Sequence, residues 1–149
     1  MSLKKKIEGE IKQAMLARDK IRLNALRSIK SSILLAETEK GASQELTEDA
    51  EMKLLTKAAK QRRDSYDIYI DQKRDDLASV EKAELEVIEE FLPKQLTAIE
   101  VEQEVKVIIA EVGASGAQDL GKVMGVATKK LAGKADGKVI SALAKQLLS

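Results

Sequence analysis

Apolar residues recur along this chain at every third or fourth position, the spacing that places side chains on one face of an α-helix. Four successive segments before residue 93 show this spacing. The first three follow Ser2, Asp19 and Thr47, residue types that cap helix N-termini. The residues that define the four apolar faces are Leu3, Ile7, Ile11, Ala14 and Met15; Ile21, Ala25, Leu26, Ile29, Ile33 and Ala36; Leu55, Ala58, Ala59, Tyr66, Tyr69 and Ile70; and Leu77, Val80, Val87, Ile88 and Phe91.

Breaks in the pattern divide the chain. Gly41 is predicted to end the second helix and the polar run 71–76 to end the third. Pro93, the only proline, lacks an N–H donor and disfavours helix at the preceding residue, so we expect a domain boundary there. The chain is therefore predicted to form an N-terminal helical domain, residues 1–93, and a C-terminal domain, residues 94–149.

The C-terminal domain begins with a strong helix signal. Thr97 and Glu100 have the spacing of a capping box, in which each side chain accepts a hydrogen bond from the other residue's backbone. Gly113 is expected to end this helix. Its apolar face consists of Val101, Val105, Ile108, Ile109 and Val112.

Two shorter helices are predicted at about 117–132 and 136–148, with Gly133 as the stop between them and Asp136 as the cap of the last. No segment shows the alternation of apolar and polar residues that indicates a strand. The predicted fold is all-α, an N-terminal four-helix region plus a small C-terminal three-helix domain.

The composition excludes most of the side chains that usually carry out catalysis. The 149-residue chain has no cysteine and no histidine, which excludes thiol nucleophiles, imidazole bases and the usual zinc ligands. Clustered carboxylates remain, at Asp64 and Asp67 and at Glu81, Glu84 and Glu86. We interpret them as solvated, because nothing apolar or aromatic beside them is expected to raise a pKa. We predict no catalytic residue, no metal and no cofactor, and do not expect the chain to act alone as an enzyme.

The N-terminus carries charges at Lys4, Lys5 and Lys6, where a signal peptide needs an apolar run. No apolar stretch approaches the roughly 20 residues that cross a bilayer. These features predict a soluble, cytoplasmic protein without membrane association.

Charge and glycine are concentrated towards the C-terminus. Six of the eight glycines follow residue 112, and residues 114–149 carry a net charge of +4 in a chain of net charge +1. Such asymmetry indicates a docking surface. The lysines of this region are Lys122, Lys129, Lys130, Lys134, Lys138 and Lys145.

Gly121 and Gly125 form a Gly-x-x-x-Gly pair, which we expect to bring the sixth helix close to the fifth or seventh. The segment Gly133-Lys-Ala-Asp-Gly137 could form a phosphate cradle, but a helix–turn–helix connection explains it without a ligand. Its lysines, Lys134 and Lys138, nevertheless flank a helix N-terminus, where backbone N–H groups attract anions.

The run Lys60-Gln-Arg-Arg-Asp-Ser65 places cations on two faces of the third helix. Arg62 is expected to make an interhelical salt bridge, with its stem on the apolar face. For Arg63, a surface charge and a phosphate contact remain equally open.

These segments resemble the GatB/YqeY proteins. The motifs that carry the resemblance, over essentially the full length, are Lys60-Gln-Arg-Arg-Asp-Ser65, Glu90-Phe-Leu-Pro-Lys-Gln-Leu96, Gly121-Lys-Val-Met-Gly125 and Gly133-Lys-Ala-Asp-Gly137. The chain looks like a stand-alone YqeY-like member. Its C-terminal domain is similar to the tail of the B subunit of the glutamine-dependent aspartyl/glutamyl-tRNA amidotransferase, and related appendages occur on some glutaminyl-tRNA synthetases.

The resemblance implies tRNA binding by this module, with amidation chemistry, a carbon–nitrogen ligase reaction, in other domains. Carried onto this sequence, it implies RNA-binding roles for Lys122, Lys134 and Lys138 and structural roles for Gly121, Gly125, Gly133 and Gly137. Lys129, Lys130 and Arg63 are further RNA-binding candidates.

Two functions follow as hypotheses. The first is a tRNA-binding accessory protein that recognises the shape of the RNA, because the C-terminal domain has no aromatic residue on which to stack a base. The alternative is an interaction adaptor that docks on an amidotransferase or an aminoacyl-tRNA synthetase, supported by the acidic N-terminal helices. A lone amidotransferase is disfavoured by the missing catalytic groups. The oligomeric state stays open.

Overall fold

A computed structural model describes residues 2–39 and 45–149. The described residues are predominantly helical and contain no strand, so the predicted all-α class is confirmed. The helices are α1 (Leu3–Ala17), α2 (Lys20–Glu39), α3 (Glu48–Asp71), α4 (Asp75–Glu89), α5 (Ala98–Val112), α6 (Leu120–Lys130) and α7 (Gly137–Leu148), with a 3₁₀ turn at Ala117–Asp119 before α6.

The chain divides into two compact units, Met1–Leu92 and Pro93–Ser149. The first contains α1 to α4 and the second contains α5 to α7. Sequence patterning placed the boundary at Pro93, one residue later. Each unit has its own apolar core, as expected for a domain. The fully buried large side chains are Ile7, Leu26, Ile29 and Ile88 in the first unit and Val101, Val105, Ile108, Val123 and Ile140 in the second.

The helices of the first unit begin where the capping residues predict. Ser2, Asp19 and Thr47 each accept a side-chain hydrogen bond from the backbone N–H three residues further on. These bonds satisfy donors that have no partner inside the helix. The end predicted for the second helix, Gly41, lies outside the described residues.

The second unit opens with the predicted capping box. Thr97 Oγ1 accepts from the Glu100 N–H at 3.2 Å, and the Glu100 carboxylate accepts from the Thr97 N–H at 3.1 Å. At the other end of α5, Gly113 adopts φ 68°, a left-handed conformation suited to glycine. Within residues 2–39 and 45–149, no helix is both long enough and apolar enough to cross a membrane.

The turn between α6 and α7 starts earlier than the sequence indicates. Helix α6 ends at Lys130 rather than near residue 132, because Leu131 folds into the core with only 2% of its surface exposed. Gly133 then takes φ 73°, and the Asp136 side chain accepts from the Lys138 N–H at 3.1 Å to cap α7. The expected helix–turn–helix connection is confirmed.

Candidate nucleic-acid interface

Helix α6 turns one face to the core of the second unit and leaves the other open. Val123 and Ala127 are fully buried, and Leu120, Met124 and Leu131 pack with them. The opposite side is exposed and forms a shallow hollow. We call this surface the α6 face; its residues are Gly121, Lys122, Gly125, Val126, Lys129 and Lys130.

The glycine pair of α6 lies on this open face, and the expected close contact with α5 or α7 is wrong. A Cβ atom built on Gly121 or on Gly125 meets no atom within 4 Å. Each glycine precedes a buried residue, Val123 or Ala127, by two positions, which is a rotation of about 200° around the helix. The glycines therefore point away from the core and leave the backbone of α6 bare towards solvent.

Two ammonium groups on the α6 face have no partner among residues 2–39 and 45–149. Lys122 and Lys129 are exposed, and no ion pair among the described residues involves either of them. They are seven positions apart in the sequence, so they lie about two helical turns apart, about 10.5 Å along the axis. No carboxylate occurs in α6 itself. The face therefore presents uncompensated positive charge.

Lys130 belongs to the same face but is partly compensated. Its Nζ atom lies 3.9 Å from Glu104 Oε2 and 4.0 Å from Glu111 Oε2, both on α5. All three side chains are more than two-fifths exposed. Exposed pairs at this distance contribute about 0–1 kcal/mol, so an external anion can compete for Lys130.

Lys134 and Lys138 are exposed but do not line the α6 face. Lys134 lies in the turn, where its carbonyl accepts from the Leu96 N–H at 2.9 Å. Lys138 lies in the first turn of α7, where its N–H is already bound by the Asp136 carboxylate. The protein's own carboxylate thus occupies the helix N-terminus at which the sequence suggested an anion site.

Arg63 lies on α3 in the first unit, so it does not belong to the α6 face. Its Nη2 atom is 3.9 Å from Glu89 Oε2 on α4, and about a quarter of its side chain is exposed. The sequence left a surface charge and a phosphate contact open; the structure shows a mostly buried guanidinium close to a carboxylate of its own unit.

Arg62 makes the predicted interhelical salt bridge. Its Nε atom lies 3.1 Å from Glu84 Oε2 and its Nη1 atom 3.7 Å from Glu81 Oε2, both on α4. A third element joins through Ser28 of α2, whose Oγ accepts from Arg62 Nη2 at 3.2 Å. The Arg62 guanidinium thus pairs with two carboxylates of α4 and also contacts α2.

The expectation that Glu81 and Glu84 are solvated is wrong. Their side chains are only 16% and 13% exposed. Burial raises the pKa of Glu84, Arg62 lowers it and the nearby Glu81 raises it further. The signal was present in the sequence, since Glu84 falls in register with the apolar face of its helix. With the Arg62 guanidinium as its partner, this carboxylate cluster packs α3 on α4.

Several curated relatives are similar in sequence to part of this chain. One from Clavispora lusitaniae is 38% identical over 86 residues, 58% of this chain and 49% of that protein. One from Saccharomyces cerevisiae is 30% identical over 106 residues, 69% and 56% respectively. One from Lachancea thermotolerans is 32% identical over 101 residues, 68% and 54%. All three are named altered inheritance of mitochondria protein 41, mitochondrial.

The chain spans about half the length of these relatives. Their name contradicts the cytoplasmic location expected from the sequence, because they are mitochondrial proteins. Prediction from the N-terminal residues alone was therefore wrong.

The family is established by a match that covers nearly the whole chain. A model of the Yqey-like proteins aligns with residues 4–148. This range includes both helical units and the α6 face. The chain belongs to the YqeY family of proteins.

Proposed function

We propose that this chain is a tRNA-binding accessory protein that holds RNA phosphates on the α6 face. The observation that carries the proposal is the pair Lys122 and Lys129, which are exposed on one helix face and have no partner in the part of the chain that the structure describes. Lysine ammonium groups bind phosphates and release condensed counterions, which makes such binding strong at low salt and weak at high salt. Lys130, held only by exposed pairs, supplies a third contact.

The proposal assigns no chemical step to the chain. The sequence has no cysteine or histidine, and the buried carboxylates of α4 are matched by Arg62 rather than by a nucleophile. Resemblance to the amidotransferase tail suggests the setting, in which another protein carries out the reaction on the tRNA. An amidotransferase or an aminoacyl-tRNA synthetase fits that role.

Crosslinking and sequencing of RNA bound in cells tests this function. The test variant is Lys122→Glu with Lys129→Glu. The matched control is Lys53→Glu with Lys57→Glu on α3, two exposed lysines of the other unit whose replacement changes net charge equally. Wild type and control are expected to retain tRNA and the α6 variant to lose it. Equal tRNA recovery by all three proteins would contradict the proposal.

One observation favours the adaptor alternative. A groove of the first unit between α2 and α3 has apolar walls from Leu35, Ala36, Leu54 and Ala58, and Leu35 is 62% exposed. Lysines at 53 and 57 line the same groove. These features suit an amphipathic helix of a partner protein that carries acidic residues.

The same two variants separate the alternatives. If the chain is an adaptor, nuclease-resistant capture of an amidotransferase or a synthetase is lost in Lys53→Glu with Lys57→Glu. In that case, capture of the same partner persists in the Lys122→Glu with Lys129→Glu variant. RNA binding predicts the reverse pattern, with tRNA lost only from the α6 variant.

A further inference from the structure

We propose that the α6 face recognises the sugar–phosphate backbone of double-helical RNA, independently of sequence, rather than single strands or base edges. This inference rests on the proposed function, since it names the form of RNA that the same face holds. Three properties of the second unit support it: the residue types it lacks, the fixed spacing of the lysine positions along α6 and the two glycines on the same face.

The second unit lacks the side chains on which unpaired bases stack. All three aromatic residues of the chain, Tyr66, Tyr69 and Phe91, precede Pro93, and residues 93–149 contain neither arginine nor asparagine. Single-stranded RNA is held mainly by stacking of unpaired bases on aromatic or guanidinium planes. Lysine offers a point charge without such a plane. The unit is therefore equipped for phosphate contacts and poorly equipped for unpaired bases.

The two lysines are attached to α6 at a fixed spacing. Lys122 and Lys129 project from a helix whose inner residues, Val123 and Ala127, are 0% exposed. The distance of about 10.5 Å between their backbone positions is set by two helical turns. A duplex presents phosphates at regular positions, whereas a flexible single strand must lose conformational freedom to reach both lysines. Attachment to one rigid helix therefore favours the duplex.

The α6 face carries two glycines beside the two lysines, together with the exposed Val126. Gly121 and Gly125 have no side chain, and nothing lies within 4 Å of where one would stand. A helical carbonyl has two lone pairs and can accept a second hydrogen bond. The Gly125 carbonyl already accepts one from Thr128 Oγ1 at 3.5 Å, so the Gly121 carbonyl is the acceptor offered to a ligand. Duplex RNA displays ribose 2′-hydroxyls in a wide, shallow minor groove. The open hollow thus allows riboses to approach the α6 backbone, a contact that DNA lacks.

Fluorescence anisotropy with defined nucleic acids tests the inference. The probes are two RNA duplexes of about 16 base pairs and unrelated sequence, their separated strands, and a DNA duplex of matching sequence. The test variant is Gly121→Gln with Gly125→Gln, which fills the hollow without changing charge. Glutamine is a better helix former than glycine, so the fold should be retained, as circular dichroism can check. The control is Gly9→Gln, at an exposed glycine of α1 with open space around it.

Both RNA duplexes are expected to bind about tenfold more tightly than single strands and equally to each other, with DNA weaker. The glycine double variant should lose about tenfold for duplex RNA, and the control should lose nothing. Single strands binding as tightly as duplexes, or an unaffected glycine variant, would overturn the inference. If tRNA still binds through Lys122 and Lys129 in that case, the proposed function survives; if wild type binds neither tRNA nor duplex, both fail.

Discussion

Gln95 donates a hydrogen bond from its side-chain Nε2 to the backbone carbonyl of Gly133 at 2.6 Å. The neighbouring Leu96 N–H donates to the carbonyl of Lys134 at 2.9 Å. These two bonds fasten the segment that follows Pro93 to the turn between α6 and α7. Two sequence motifs that lie 38 residues apart therefore meet in one structural connection within the second unit.

Replacement of Gln95 by alanine should weaken the second unit. The Gly133 carbonyl then loses a partly buried hydrogen bond, which typically costs about 0.5–1.5 kcal/mol. Amide hydrogen exchange of peptides from α6 and α7 should accelerate. Gln103→Ala, at an exposed position on α5, is the control and should leave exchange unchanged. Equal exchange in Gln95→Ala and wild type would show that the contact contributes nothing.

Gly133 and Gly137 are expected to respond in opposite directions to alanine. Gly133 adopts φ 73°, where a side chain costs about 1–2 kcal/mol. Gly137 begins α7 without a positive φ, and a Cβ there meets no atom within 4 Å. Gly137→Ala should therefore be neutral or stabilise by up to about 1 kcal/mol. Hydrogen exchange of α7 compares the two; a neutral Gly133→Ala would contradict the turn geometry described above.

Loss of the Arg62 guanidinium should destabilise the first unit. Arg62→Met leaves Glu81 and Glu84 largely buried without a cation, which we expect to cost on the order of 2 kcal/mol, less than for a fully buried pair. Both tyrosines lie on α3, so tyrosine fluorescence during urea unfolding reports on this unit. Adding Glu84→Gln should recover part of the loss. A double variant no more stable than Arg62→Met would argue against the pairing.

Glu84 should give the first unit a defined pH dependence. Burial raises the pKa of Glu84 in the folded state, so the folded protein binds its proton more tightly than the unfolded chain does. The stabilisation is complete below the unfolded pKa of about 4.3 and is lost as pH rises through the folded pKa. Glu84→Gln removes this loss.

The check is the difference in unfolding free energy between Glu84→Gln and wild type, measured in urea from pH 4 to 7. It should move in favour of the variant as pH rises. Carboxylates with lowered pKa values, Asp76 and Glu100, are present in both proteins and cancel in the difference. A difference that stays constant, or moves towards wild type, would contradict the burial of Glu84.

Local signals in the sequence predicted the helices well. Ser2, Thr47, Thr97 and Asp136 act on backbone groups within three residues, so neighbouring residues suffice to place the helix starts. The end of α6 was missed because Leu131 is drawn into a core formed by distant residues.

The site was harder to predict. Gly121 and Gly125 were expected at a helix contact, but the apolar residues of α6 place both glycines on the opposite side of the helix. The hydrogen bond from Gln95 to Gly133 could not be inferred at all, since it depends on how α5 and α7 pack. Likewise, partial compensation of Lys130 depends on carboxylates of another helix.

Salt dependence of tRNA affinity tests the central claim most directly. Dissociation constants are measured between about 50 and 200 mM salt for wild type, Lys122→Glu with Lys129→Glu, and the Lys53→Glu with Lys57→Glu control. If the α6 face holds phosphates, its variant binds tRNA more weakly. The slope of the logarithm of the association constant against log salt becomes less steep by about 1–2 in this variant, while the control keeps the wild-type slope. Identical slopes in all three proteins, or an equal decrease in the control, would contradict the account.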